Sequence, residues 1–369
     1  MFLPNQLLYQ IALTLIPGIG DINAKALLAY CGSAESVFKE KKSHLLKIPG
    51  IGSVAAKNIF NHSVFKGAEA EVEFVLKKKI QPLFFTDENY PERLKHCEDG
   101  PLLLFFRGKM DFNASHFISV VGTRSATDFG KAFTEKVVKQ LKPYNTCIVS
   151  GLAYGIDVSA HKSAMKNNMA TVAVVAHGLD RIYPAVHANI AKEIEEYGGI
   201  LTEFTSGNKP DRENFPKRNR IVAGLSEATV VVEAAKKGGA LITAELASSY
   251  NRDVFAVPGR LTDKYSEGCN HLIKTNQASL IQSAKDIEYL LGWQSPKEAK
   301  RKVVQKPIFV DLDVHEIKIV EVLRANQPIQ LDLLGMKLNW PVSKVFPLLT
   351  LLELKGVVRG KPGRVFELM

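Results

Sequence analysis

Short apolar runs rich in valine and isoleucine alternate with helix-patterned stretches through the middle of the chain. The runs are Phe117–Gly122, Thr146–Ser150, Thr171–Ala176, Ile200–Glu203, Thr229–Glu233, Val254–Val257 and Ala278–Ile281; Lys131–Leu141 and Ala188–Tyr197 are two of the stretches between them. Strands that are apolar on both faces and separated by helices predict an α/β fold, a Rossmann-like doubly wound parallel sheet. Ile80–Phe85 and Leu102–Phe106, ahead of the first run, are expected to add edge structure.

The pattern changes at both ends. Ile16-Pro17-Gly18-Ile19-Gly20 recurs 32 residues later as Ile48-Pro49-Gly50-Ile51-Gly52, and each copy precedes a helix-like segment (Ala24-Lys25, Ala56-Lys57). This repeat predicts an N-terminal tandem helix-hairpin-helix domain over residues 1–66. Hairpin glycines let backbone N–H groups point outward at a helix start, which is a phosphate site. Gly18, Gly20, Gly50 and Gly52 are therefore candidate accessory DNA contacts; the bland alternative is a helical bundle whose hairpins only turn the chain. The Rossmann-like domain is expected over 67–292, followed by a basic linker at 293–310. Residues 311–369 carry helix-like segments around Val314–Ala325, Ile329–Leu338 and Pro341–Lys355, then a hairpin over Val357–Leu368 turning at Lys361-Pro362-Gly363. That order is the plan of a C-terminal winged-helix domain. Pro347 is expected to kink or split its recognition helix, because proline removes a helical hydrogen bond.

With 46% hydrophobic and 23% charged residues, the 369-residue chain is not of a disordered class. Its net charge of +10 favours a polyanionic partner. The charge is uneven: residues 1–66 and 293–310 each carry +4, the winged-helix region +1 with Arg359, Lys361 and Arg364 at its wing, and the middle +1. An anion site in the middle must come from local clustering. Cys31, Cys97, Cys147 and Cys269 are far apart, which suits reduced, mostly buried thiols and neither a disulfide framework nor a zinc site. No signal peptide or membrane span is expected, and the cytoplasm is the expected compartment.

The clustering lies in the loops after the strands. These are Val121-Gly122-Thr123-Arg124, Ser150-Gly151 through Asp157, Gly178 through Pro184, Phe215-Pro216-Lys217-Arg218-Asn219-Arg220, and Lys236-Lys237-Gly238-Gly239-Ala240. A parallel sheet places all of them on its carboxyl edge, where open α/β folds bind ligands. Glycines let amides approach an anion, and arginine forks fit phosphate oxygens. Several such loops suit a chain of phosphates better than a single one. Phe215 is a candidate base-stacking ring, with ordinary loop packing as its alternative. The candidate DNA-binding residues are Arg124, Ser150, Gly151, Phe215, Lys217, Arg218, Asn219, Arg220, Lys236, Gly238 and Gly239. Gly151-x-x-x-Gly155 is not a dinucleotide fingerprint and no P-loop occurs, so no cofactor is expected. Asp157 and His161 lack a nearby nucleophile pattern, and they read as structural. Glu203, Glu233 and Glu245 are scattered, more as helix caps or arginine partners than as a metal cage. No catalytic or metal-binding residues are assigned.

These motifs together resemble the DNA-processing protein A (DprA/Smf) family. The segments that carry the resemblance are Tyr90-Pro91 through Gly108, VVGTR (120–124), SGLAYGIDVSAH (150–161), GLDRIYP (178–184), FPKRNRIVAGLS (215–226), GALITAELA (239–247), VFAVPG (254–259) and GCNHLI (268–273). The resemblance implies a non-enzymatic single-stranded-DNA-binding protein that protects incoming DNA and loads RecA recombinase in natural transformation. It also implies a homodimer formed through the Rossmann-like domain. By position, the family's DNA pocket maps to Arg124, the Ser150-Gly151 turn and Arg218-Asn219-Arg220. The chain departs from the family in having Gly238-Gly239-Ala240 where Ser-Gly-Ser is common. Two other readings stay open: a Rossmann-like nucleotide-binding sensor, and a nucleoside-monophosphate hydrolase, of whose Pro-Gly-Gly-x-Gly-Thr-x-x-Glu loop Lys237 through Glu245 is a partial echo.

Overall fold

The computed structural model describes residues 4–113, 116–293, 312–326, 328–361 and 364–368. The chain forms two compact units, Met1–Ser295 and Pro296–Met369.

In the first unit the strands are β1 (Gln81–Phe84), β2 (Leu103–Gly108), β3 (His116–Val121), β4 (Thr146–Ser150), β5 (Thr171–Val174), β6 (Gly198–Thr202), β7 (Ala228–Val231), β8 (Asp253–Ala256) and β9 (Ser279–Leu280). They form one sheet in the order β1-β2-β6-β5-β4-β3-β7-β8-β9. From β6 to β9 every pair is parallel, and β1 and β2 join antiparallel at the edge. The strand order reverses between β3 and β7, which makes the topological switch point. The helices are α1 (Pro4–Thr14), α2 (Asp21–Cys31), α3 (Ala34–Lys39), α4 (Lys42–Leu45), α5 (Ser53–Phe60), α6 (Phe65–Lys77), α7 (Glu92–Lys95), α8 (Asp128–Leu141), α9 (Ile156–Lys166), α10 (Ala188–Tyr197), α11 (Asn214–Leu225), α12 (Gly239–Ser249), α13 (Glu267–Lys274) and α14 (Ala284–Leu290).

The alternation of side chains along β3 shows why its run is apolar but for Ser119, whose buried hydroxyl donates to that of Thr229 (2.7 Å). Ile118 and Val120 pack with Val137 and Leu141 of α8 and Ala160 of α9. Phe117 and Val121 pack on the other side with Ile221 and Leu225 of α11 and Ala244 of α12. A strand covered on both faces has no polar side. The N-terminal helices bury Leu7, Ile11, Leu27, Ile59 and Val75 in a core continuous with Phe84, Leu103 and Phe105 of the antiparallel edge. Helix α6 runs through the expected boundary at 66/67, because its buried face (Ala68, Val75) completes that helical core.

The second unit comprises α15 (Val314–Asn326), β10 (Ile329–Gln330), α16 (Leu331–Leu338), α17 (Val342–Leu354), β11 (Val358–Lys361) and β12 (Val365–Leu368). The sheet order β10-β12-β11 is that of a winged helix, around Ile319, Leu323, Leu334, Val345, Leu349 and Phe366. Two expectations change here. Ile329 opens a strand paired with Phe366, so the second helix begins only at Leu331. Pro347 does not split α17, which continues from Val342 to Leu354; Pro347 and Ser343, whose carbonyl it leaves without an in-helix donor, both lie on the exposed side. Of the expected linker, 294–310 lie outside the described residues, as do Pro362 and Gly363 at the hairpin turn. Trp293 belongs to the first unit, its ring 4.3 Å from that of His116.

Candidate nucleic-acid interface

At the switch point the sheet's carboxyl edge opens on a cavity of about 350 Å³. Gly122-Thr123-Arg124 after β3, Gly151 after β4, the start of α11 and Lys237-Gly238-Gly239 at the start of α12 form its walls. The basic loop of the sequence reading is thus the first turns of α11, and helical spacing decides which of its side chains reach the cavity. Phe215, Arg218 and Asn219 do so. Asn219 donates from Nδ2 to the Gly239 carbonyl (3.2 Å) and so ties α11 to the glycine loop.

Arg218 is 5% exposed. Its Nη1 donates to the Val174 carbonyl (2.7 Å), while its buried Nε has no acceptor among the described residues. Burial holds the guanidinium below its ordinary pKa; Asp157 opposes that shift and Arg124 adds to it. Asp157 shares the cavity wall and accepts from the Gly151 N–H at 3.2 Å. Burial pushes its carboxyl up, against the pull of Arg218. Above them the exposed Arg124 guanidinium lies 5.3 Å from the Phe215 ring, a cation–π distance. Three cations, Arg124, Arg218 and Lys237, therefore face one carboxylate. An entering anion offsets both the desolvation of Arg218 and its repulsion from Arg124.

Four candidates lie elsewhere. Ser150 is fully buried and its hydroxyl donates to the Val120 carbonyl (2.7 Å), so it serves the sheet. Lys217 and Lys236 are exposed but outside the wall; Lys237, the neighbour not singled out in the sequence, lines it instead. Arg220 points away from the cavity. It pairs with Glu203 and with Asp21 (3.0 Å) and donates to the Asp99 carbonyl. Burial disfavours its charge, but Glu203, Asp21 and Asp99 outweigh that and hold it above its ordinary pKa. Arg220 is a strut between the sheet unit's edge and the first residue of α2.

That strut also affects the hairpins. Gly20 and Gly52 are the N-cap residues of α2 and α5, and Gly18 and Gly50 have φ of +78° and +82°, which favours glycine. All four are exposed. Asp21 places a carboxylate at the start of α2 and turns it onto the Leu102 N–H (2.7 Å) and Arg220. Helix α5 has no acid in its first turn, so the second hairpin is the one chemically suited to a phosphate.

Of the remaining residues singled out in the sequence, Glu233 and His161 are held inside the fold. Glu233 accepts from the Thr127 N–H (2.9 Å) and hydroxyl at the start of α8. Glu245 is exposed on α12 and outside the cavity wall. His161 is fully buried, its Nδ1 2.7 Å from the Thr171 hydroxyl, and burial lowers its pKa to about 3. The cysteines are unpaired and, except for Cys31, buried. No described helix is long and apolar enough to cross a membrane.

In the winged helix, α17 exposes Val342, Phe346, Leu351 and Leu354. Its Lys344 lies 4.3 Å over the Trp340 ring, and Glu353 accepts from the Gly360 N–H. A groove-reading helix needs polar and basic side chains on that face.

Comparison with known proteins agrees with this architecture. Residues 81–292 match the model of the family described as DNA recombination-mediator protein A, and residues 310–364 that of the DprA winged-helix domain. Protein Smf of Synechocystis is 36% identical over 288 residues, 77% of this chain and 72% of the relative. The DNA processing protein DprA of Streptococcus pneumoniae is 40% identical over 57% of this chain and 74% of the relative. The crystal structure of the Streptococcus pneumoniae protein superposes with a TM-score of 0.66 at 33% identity, covering 76% of this chain and 96% of that one. DNA processing protein A from Helicobacter pylori, whose structure is described for its single-stranded-DNA binding mode, gives 0.53 at 29% identity, covering 58% and 95%. The switch-point cavity is therefore that of a Rossmann-like core joined to a DprA winged helix, and the chain belongs to the DNA recombination-mediator protein A family.

Proposed function

We propose that the chain holds single-stranded DNA along the carboxyl edge of its sheet, with phosphates at Arg124, Arg218 and Lys237 and a base against Phe215. The observation that carries this reading is the charge of the cavity: three cations, one of them a buried arginine with a free Nε, against one carboxylate. The relative from Helicobacter pylori, described as a single-stranded-DNA binder, supports it. From family membership the further proposal is that the bound strand is incoming DNA, which the protein protects and onto which it loads RecA recombinase during transformation. On the same ground it acts in the cytoplasm as a homodimer, without catalysis or cofactor.

The nucleotide-hydrolase reading has less support. The Glu245 of its motif lies outside the wall, and the one acid in the wall, Asp157, accepts the Gly151 N–H. Titrating a fluorescent dT oligonucleotide, its duplex and nucleoside monophosphates, with product analysis, tests the choice. The expected outcome is binding of the single strand with no hydrolysis. Hydrolysis of a monophosphate that disappears in Glu245→Gln contradicts it. Faster RecA filament growth on a coated strand in the presence of the protein is the matching test of loading.

A further inference from the structure

The same sheet edge carries a second, larger cavity, of about 890 Å³, between the start of α8 and the loop after β8 (Pro258 to Ser266). Glu233 forms the ridge between the two. Its carbonyl accepts the Thr123 N–H (2.7 Å) on the side of the first cavity. Its carboxylate is engaged by Thr127 on the side of the second. Glu233 thus connects the two walls, and its carboxylate is already hydrogen-bonded.

The second cavity offers the groups an unpaired nucleotide needs. Phe129 lines it with 56% of its surface exposed, an unusual position for a phenylalanine in the first turn of a helix. Arg260 and Lys264 line it as well; both are exposed and neither forms an ion pair among the described residues. Lys264 Nζ lies 6.0 Å over the Tyr265 ring. Asp263 stands in the same loop, so the loop from Pro258 to Ser266 has a net charge of +1. That balance is too small for a free polyphosphate. It fits one phosphate of a longer chain beside a base stacked on a ring.

We propose that this cavity is a second nucleotide subsite: a strand leaving the first cavity crosses the Glu233 ridge, stacks a base on Phe129, and places the adjoining phosphate against Arg260 and Lys264. This rests on the strand-binding reading of the first cavity. It extends the footprint to the other face of the sheet, and it gives the exposed loop after β8 a role.

The test compares dT oligonucleotides of about 4 and about 16 nucleotides, spanning the range of single-strand site sizes. The proteins are the full chain, Phe129→Ala, Phe129→Trp, the double variant Arg260→Ala/Lys264→Ala, and Arg124→Ala. All four positions are exposed, and circular dichroism confirms that each variant is folded. Phe129→Ala and the double variant are expected to bind the long oligonucleotide about tenfold more weakly and the short one as the parent does, with Phe129→Trp retaining both. Long-oligonucleotide binding within twofold of the parent in Phe129→Ala and in the double variant overturns the second subsite. If Arg124→Ala loses binding in that same series, the first-cavity reading stands alone. If Arg124→Ala binds both lengths as the parent does, the first-cavity reading fails, and with it this one. A Phe129→Ala that alters only the oligomeric state marks the ring as a protein contact and also overturns the subsite.

Discussion

Arg218 lies so close against the backbone of Gly151 that a Cβ built at position 151 would overlap its guanidinium. With an alanine at 151 the Arg218 guanidinium would have to move from its place against the loop after β4. Gly151→Ala is expected to displace Arg218, to cost about 1–3 kcal/mol of stability, and to weaken oligonucleotide binding about tenfold or more through the lost charge-assisted hydrogen bonds. Thermal melting and a dT titration measure both. Unchanged binding in a folded Gly151→Ala protein would show that the position of Arg218 is irrelevant to the strand.

Arg220, two residues along the same helix, has the opposite role. Its guanidinium is half-buried with Glu203 and Asp21, so Arg220→Ala leaves two carboxylates without this cation. A loss of about 3–5 kcal/mol is expected, visible as a lower Tm, while the salt dependence of DNA binding keeps its slope. A shallower slope with an unchanged Tm would return Arg220 to the strand.

His161 sets an acid limit. Its pKa is lowered by burial to about 3 from 6.5. The unfolded chain therefore binds this proton more readily than the folded one, so stability from this group is complete above about pH 6.5 and is lost as pH falls toward 3. His161→Gln is expected to flatten the pH dependence of Tm over that window. An equally steep decline in the variant would assign the acid limb to other groups.

Truncation after Ser295 removes the winged helix, of net charge +1, together with the basic linker, but leaves every residue of the switch-point cavity in place. Most single-strand affinity is expected to remain, with any loss falling on duplex or protein partners. Loss of nearly all dT binding in the truncated, folded protein would show that the winged helix holds the strand.

The sequence made the sheet legible because its central strands are covered on both faces and read as nearly unbroken apolar runs, as Phe117 to Val121 does between two helical layers with the one hydroxyl of Ser119 bonded to Thr229. Loop membership was legible too, since strand ends in a parallel sheet share an edge. Side-chain direction within a loop was not. Arg218 and Arg220, or Lys236 and Lys237, differ only in where a helix or turn begins, and that depends on packing against distant residues such as Asp21 and Val174. The helical layer's extension to Lys77 depended likewise on a core shared with α1. The second cavity was not legible, although Pro258 and Gly259 of its wall close the VFAVPG segment, because Phe129 and Arg260 come to one cavity only through the fold.

The central claim is that guanidinium groups at the switch point hold phosphates of a single strand. The most direct measurement is the affinity for poly-dT as a function of salt, for the parent and for Arg124→Ala, which removes an exposed side chain from the cavity wall. The parent's log–log slope is expected to be about −0.7 for each phosphate neutralised, and Arg124→Ala to bind more weakly with a slope shallower by about that amount, at unchanged Tm. An Arg124→Ala protein that binds as tightly as the parent, with the same slope, would contradict the account.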